Sequence, residues 1–419
     1  MTLSPTINPL NHITFPEVSN WLIADKIPAY SITGLAQPIV KIETVFHAGE
    51  AYSENPLIPT LTATMLTEGT LLHTSKEFAE ALDFIGAEIV AITTHERVLV
   101  SMACLNKHLP LALSLYHQCL TKPRFDYKDF NIVKENAKKR MFIELENVNY
   151  VARREFQRLL YPNHPFGNIV EFRHFDNVEI KQLISFFERF YHVKNATMYV
   201  SGNISNEVIQ SLQQFRGLNS PSERMPFIPE TLPNKSEKLF IEKKDAVQSA
   251  ICIGKTSIPF SHPDYIPLCI TTTLLGGYFG SRLMTVLREE KGYTYGIEAF
   301  VANNKFNSSL IITTEVATEY TRDALSCIYE EIDKLCQKPV SVNELENVKS
   351  YLKGTLFRAF DGPFNSMESF KTVHFHGFDL SYYERYMEIL NTIQPDEILQ
   401  IAQRYFSNNF IEVVIGKMN

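Results

Sequence analysis

Nowhere in this 419-residue chain do about 18 apolar residues run uninterrupted, which excludes an ordinary membrane-spanning helix. Basic residues are not in excess. Forty Lys and Arg stand against 47 Asp and Glu, giving a net charge of −7 and a pI near 6.0. A chain that wraps nucleic acid carries a strongly basic footprint, so that class is excluded. Gly (17) and Pro (21) are too few for a collagen-like chain. A hydrophobic share of 45% with 21% charged residues excludes a disordered one. Cysteine is sparse: Cys104, Cys119, Cys252, Cys269, Cys327 and Cys336 form no CxxC pair, and most have apolar neighbours. They read as free thiols in a reducing compartment. Met1 to Pro16 contains no basic segment followed by an apolar run, so no secretory signal is read and a cytoplasmic location is expected.

What is present is an ordinary globular composition over a length that suggests roughly two or three domains. The sharpest break in composition is 216–238, where Pro221, Pro226, Pro229 and Pro233 lie among Ser, Asn and Gly. It reads as a linker between an N-terminal domain, 1–215, and a C-terminal domain, 239–419. Before it, Ile39–His47, Arg97–Cys104 and Ala196–Ser201 have the β-branched content of strands. Lys76–Ile85, Leu109–Leu120, Phe130–Glu146 and Glu179–Tyr191 have helical apolar spacing. The second half repeats the order: strand at Ala250–Gly254, helices at Ile266–Leu275 and Ser281–Glu290, and a strand beginning near Tyr293. A local echo supports duplication. Ala112-Leu113-Ser114 with Lys122-Pro123 recurs as Ala324-Leu325-Ser326 with Lys338-Pro339, each followed by an amphipathic helix. The expected fold is α/β (α+β), two homologous halves, each a mixed sheet with helices packed on one face.

Around residues 43–86 three segments stand out: Glu43-Thr44-Val45-Phe46-His47-Ala48-Gly49-Glu50, Met65-Leu66-Thr67-Glu68-Gly69-Thr70 and Ala81-Leu82-Asp83-Phe84-Ile85-Gly86-Ala87. They resemble the pitrilysin, insulysin and mitochondrial processing peptidase family, peptidase family M16. In its active members the residues just before the Met-Leu segment spell His-x-x-Glu-His. Two imidazoles one helical turn apart hold Zn²⁺, and the Glu is general base to its water. Here the positions read Thr60-Leu61-Thr62-Ala63-Thr64. Thr60 and Thr64 replace the two His, and Ala63 replaces the Glu. A neutral hydroxyl is a poor zinc ligand beside imidazole, and Ala offers no base. The family's third ligand, a Glu on a later helix, falls near Met141, with Glu135 and Glu144 close by. The resemblance therefore implies a chain that binds no metal and is not an enzyme on its own.

Other candidate metal positions are weaker. His374-Phe375-His376 would put two imidazoles on one face if it were a strand, but no third ligand is identifiable. His73 and Glu77 read as a solvated pair at a helix start, and His95-Glu96-Arg97 as a polar turn entering a strand.

The most specific segment runs from Leu274-Leu275-Gly276-Gly277-Tyr278-Phe279-Gly280-Ser281-Arg282 to Arg288-Glu289-Glu290-Lys291-Gly292-Tyr293-Thr294-Tyr295-Gly296. It resembles the C-terminal domain signature of the same family, where an Arg and a Tyr contact substrate. The matching pair is Arg288 and Tyr295. A helix ended by Gly292 and followed by a strand can turn both side chains toward one point. Guanidinium and phenol are strong donors for a peptide carbonyl or a developing oxyanion. Local sequence alone also admits Arg288 paired with Glu289 and Tyr295 in the core. Gly276–Gly280 lacks the Gly-Lys-Ser/Thr ending of a phosphate loop and reads as a flexible loop, and Arg282 reads as a salt-bridge residue. His164-Pro165-Phe166-Gly167, Tyr199-Val200-Ser201-Gly202-Asn203 and Gln248-Ser249-Ala250 extend the resemblance over most of the chain.

The resemblance implies the non-catalytic, substrate-binding subunit of a heterodimeric zinc metallopeptidase. A homologous partner carrying His-x-x-Glu-His would supply the zinc, and the substrate would be an unfolded peptide bound along a sheet edge. A homodimer of this chain alone would hold no zinc site. The rival expectation is a catalytically inactive peptide-binding or scaffold protein of the same fold.

Overall fold

Strand Ile39–Phe46 shows how the molecule is layered, because it is buried on both faces. Val40, Ile42 and Phe46 point into one hydrophobic core. The alternate residues Glu43 and Val45 point to the opposite face and are also covered. One layer of helices cannot do this, so something must pack on each side.

A computed structural model supplies the answer; it describes residues 13–417 apart from 25, 35–36, 214, 219–235 and 408. Most of the expected linker, 216–238, lies outside the described residues. Strands β1 (Ser19–Ile23), β2 (Ile27–Thr33), β3 (Ile39–Phe46), β4 (Glu88–Thr93), β5 (Val98–Leu105) and β6 (Ala196–Gly202) form one sheet in the order β1-β2-β6-β3-β5-β4. Strands β7 (Glu237–Glu242), β8 (Gln248–Ser257), β9 (Ile297–Asn303), β10 (Ser308–Ala317) and β11 (Ile411–Gly416) form a second, ordered β7-β11-β8-β10-β9. Matching β2, β6, β3, β5 and β4 to β7, β11, β8, β10 and β9 superposes the two orders, with β1 the addition. In both sheets the parallel ladder falls at the same place, β2 with β6 and β7 with β11. The halves are homologous. The sequence echo falls on matching helices, Leu109–Thr121 and Thr321–Gln337, each followed by an 18-residue helix, Tyr127–Glu144 and Val342–Ala359.

Each half's own helices cover one face of its sheet, and a helix from the other half covers the second face. Helix Val148–Leu160 places Ala152, Phe156 and Leu160 against Ala250, Cys252, Ile411, Val413 and Ile415 of the second sheet. Helix Gly362–Phe375 places Met367, Phe370 and Val373 against Ile32, Val45 and Tyr199 of the first. The exchange is reciprocal. Gly254 makes one side of it possible: a Cβ there would meet Leu310 O at 2.2 Å and the Phe156 ring at 2.8 Å. Fully burying a side chain such as Phe156 contributes about 1.5–3 kcal/mol, so each crossing helix carries substantial stability.

Glu43 is 1% exposed on the crossed face, and a charge so placed needs partners. Lys41 at 2.9 Å and Lys371 at 2.8 Å, the latter from the crossing helix, supply them. The six cysteines are free, and burial pushes the thiols up, Cys119 to about 12, which leaves that thiol inert as a nucleophile. No helix among the described residues is long and apolar enough to cross a membrane.

Candidate functional site

Helix Leu57–Met65 carries Thr60, Ala63 and Thr64. Ala63 is 1% exposed and shares the first core with Met141 of helix Tyr127–Glu144. The threonine hydroxyls turn back onto the helix. Thr62 donates to Ile58 O at 2.7 Å and Thr64 to Thr60 O at 3.0 Å. Thr60 lies 3.4 Å from both Pro56 O and Glu50 Oε1, and Glu50 in turn pairs with His95 at 3.0 Å. Short polar side chains on a helix commonly bond the carbonyl one turn back. The donor set is two half-buried hydroxyls, a methyl group and a buried thioether, and it does not fit Zn²⁺. Among the described residues no group of three or more His, Cys, Asp or Glu could hold a metal ion, so neither Glu135 nor Glu144 restores one.

The other histidine candidates have structural partners. His73 precedes the helix Ser75–Ile85, and its Nδ1 meets Gln118 Oε1 at 3.1 Å, while Glu77 closes a capping box on Thr74. The solvated His73–Glu77 pair is therefore replaced by two separate local bonds. The His374–His376 segment is the end of helix Gly362–Phe375 and not a strand, so its imidazoles diverge. His374 meets Tyr199 Oη at 2.8 Å, and His376 stacks on Phe260 with centroids 4.2 Å apart.

The second segment is built differently. Helix Tyr265–Thr272 runs on into a wider π turn, Thr273–Gly277, which lies against β9. A Cβ on Gly276 would meet Ala299 Cβ at 2.7 Å, so only glycine allows this approach. Gly276 is thus packed against the sheet, where the sequence read as a flexible loop. Arg282 forms two bonds to Glu344, at 2.6 and 3.0 Å, the salt bridge expected of it.

The expected helix Ser281–Glu290 is π-wound over Met284–Glu290, and Gly292 follows it with φ +67°. The strand expected near Tyr293 begins only at Ile297. Tyr295 therefore lies in the turn and not in a strand. The cause is Thr294, buried between two tyrosines. Its hydroxyl accepts from Gly296 N at 3.0 Å and from the Thr314 hydroxyl at 3.0 Å, and it lies 2.7 Å from Glu315 O. These bonds satisfy the turn's backbone locally, so it does not join the ladder. Thr294 is the residue that shapes this turn, and it was not singled out in the sequence. Its signal was a Thr two residues before a glycine N–H.

Tyr295 is 90% exposed, which removes the core alternative for it. Arg288 is exposed as well, and its guanidinium lies over the Phe279 ring, 4.7 Å from the centroid. Among the described residues no carboxylate lies within ion-pair distance of Arg288, which removes the pairing alternative. Phe279 and Tyr295 line one cavity of about 530 Å³, together with Gly276, Thr314 and Glu315. Asn149 and Arg153 of the crossing helix Val148–Leu160 line it from the other half, and Asn149 donates to Glu315 at 2.5 Å. Tyr295 and Phe279, the latter under the Arg288 guanidinium, thus lie at a cavity whose walls come from both halves. The guanidinium and the phenol can donate hydrogen bonds to carbonyl oxygens.

The family profile described as insulinase, peptidase family M16, matches residues 37–169, and that of the peptidase M16 inactive domain matches 177–352. An uncharacterized zinc protease of Rickettsia felis is 23% identical over 388 residues, covering 90% of this chain and 92% of its own. A non-peptidase homolog, YmxG, of Helicobacter pylori is 22% identical, covering 79% and 78%. The peptidase M16 inactive domain structure from Pseudomonas fluorescens matches with a TM-score of 0.87 at 20% identity over 96% of this chain and 98% of that one.

Proposed function

Because the chain belongs to peptidase family M16 but lacks that family's zinc ligands and general base, we propose that it is the non-catalytic, substrate-binding subunit of a heterodimeric zinc metallopeptidase. The coarser statement, an inactive M16 homologue, stands on the sequence of helix Leu57–Met65 and on the two profile matches. The finer one is supported by one observation: exposed Tyr295 lines the 530 Å³ cavity and exposed Arg288 lies over Phe279, which lines it too, while Ala63 is buried. In this reading the partner's helix, carrying His-x-x-Glu-His, would hold the zinc, and the bound metal would supply an activated water. Arg288 and Tyr295 reach across the interface to the peptide carbonyl, where preorganised donors stabilise charge that develops in the transition state. Phe279 fixes the guanidinium plane, and Thr294 fixes the turn that carries Tyr295. The substrate is an unfolded peptide.

The test is reconstitution. The chain is tagged in its native cell and its stoichiometric partners are identified by mass spectrometry. A homologue with His-x-x-Glu-His, and peptidase activity that appears only in the mixture, supports the proposal. Recovery of this chain alone, or with unrelated proteins, moves the reading to a peptide-binding or scaffold role.

A further inference from the structure

The crossing helix Val148–Leu160 packs on β8 and β11. Strands β10 and β9 continue the same sheet beyond it, and part of their face stays open as the 530 Å³ cavity. Register places three side chains on that face. Thr313 stands opposite Cys252 of β8 on one side and opposite Glu298 of β9 on the other, and Glu315 stands opposite Ala250. Cys252 and Ala250 meet the crossing helix, so Thr313, Glu298 and Glu315 share its side of the sheet. All three line the cavity.

Their polar atoms are left with few partners. Thr313 is 7% exposed, and among the described residues its hydroxyl has no hydrogen-bond partner. Glu298 is exposed, and Glu315 accepts from the Asn149 amide at 2.5 Å. Among the described residues neither carboxylate has a cation within ion-pair distance, and that includes Arg153, the basic residue of the lining. Two carboxylates on diagonal neighbours of one face disfavour each other unless a positive group comes between them. A nearly buried hydroxyl without a partner is likewise a group that a guest can satisfy. Tyr295 and Phe279 also line the cavity, and aromatic faces attract cations.

We propose that this cavity takes a basic side chain, Lys or Arg, of the bound peptide. Glu298 and Glu315 flank the cationic head, the Thr313 hydroxyl accepts from it, and the aliphatic stem packs on the aromatic wall. The volume lies within the range of ligand pockets. That the guest belongs to a peptide substrate rests on the function proposed above. Affinity for a basic head group does not, since every group named belongs to this chain.

The test is isothermal titration of the full chain with acetylated and amidated Gly-Gly-X-Gly-Gly peptides in which X is arginine, lysine or citrulline. Citrulline keeps the shape of arginine without its charge. The arginine or the lysine peptide is expected to bind at least about tenfold tighter than the citrulline one. Preference for arginine assigns the pair of acceptors to a planar fork, and preference for lysine assigns it to a point charge. Glu298→Gln, at an exposed position, should remove about tenfold of that affinity, and Thr313→Val should remove less. Equal binding of all three peptides, no heat with any of them, or unchanged selectivity in Glu298→Gln overturns the proposal. The two readings fail separately. Selective binding by a chain that has no zinc-bearing partner keeps this site and removes the subunit role. Turnover by a reconstituted complex whose chain does not discriminate keeps the subunit role and removes this site.

Discussion

Helix Leu57–Met65 and the turn Gly292–Gly296 present the same kinds of atom, hydroxyls among apolar side chains, to opposite ends. In the helix the hydroxyls of Thr62 and Thr64 turn to carbonyls one turn back, Thr60 is shared between Pro56 O and Glu50, and Ala63 is buried. In the turn the buried hydroxyl of Thr294 gathers the backbone around itself and thereby holds its neighbour Tyr295 out in solvent. The difference teaches that losing a reactive group and presenting one depend on where a hydroxyl sends its hydrogen bond. The residue type is the same in both.

The sharpest way to break the comparison is at its exposed end. Arg288→Ala should lower kcat/KM of the reconstituted complex by about 10²- to 10³-fold, the usual loss when one transition-state donor is removed, with assembly intact by size-exclusion chromatography. Unchanged turnover would remove the role assigned to Arg288. At the closed end, Ala63→Glu puts a carboxylate into a 1% exposed position among Leu61, Met65 and Met141. It should cost on the order of 3 kcal/mol, read as a lower urea midpoint; a neutral result would mean that the helix face is open after all. Thr294→Val leaves the Gly296 N–H without its acceptor and should cost about 1–3 kcal/mol by the same assay. It should also lower turnover of the complex by less than Arg288→Ala does, since the turn is displaced and the donor is kept.

The smallest effect concerns pH. Burial, reinforced by the charge of Arg97, pushes His376 down to about 4 from its ordinary value near 6.5. The unfolded chain then takes up a proton before the folded one does. The contribution of His376 is complete above pH 6.5 and is lost as pH falls toward 4. Urea midpoints at pH 7 and pH 5 should differ less for His376→Asn than for the unaltered protein, and an equal difference would argue against a neutral buried imidazole.

Much of this was legible in the chain. The β-branched run Ile39–His47 differs from the observed strand by one residue, and Gly86 ends its helix in the left-handed conformation as a glycine there should. The Thr60-x-x-Ala63-Thr64 substitution needed no structure to read. The turn around Tyr295 was misread as strand because aromatic residues favour strands on average, whereas Thr294 satisfies the backbone within three residues. His374 and His376 were misread for a related reason, since a period of two in so short a segment does not separate a strand from a helix end. The reciprocal crossing of Val148–Leu160 and Gly362–Phe375 left no local trace. Each helix is amphipathic or apolar in the ordinary way, and the identity of the sheet it covers is a tertiary fact.

That crossing has a mechanical consequence. With each half holding a piece of the other's packing, a hinge between the sheets would have to strip Phe156 from Cys252 and Phe370 from Tyr199 in the same motion. The chain is therefore a welded shell, and it should melt in a single cooperative step. If the proposed complex forms, the gap that admits its peptide opens between this chain and the partner and not between the two sheets.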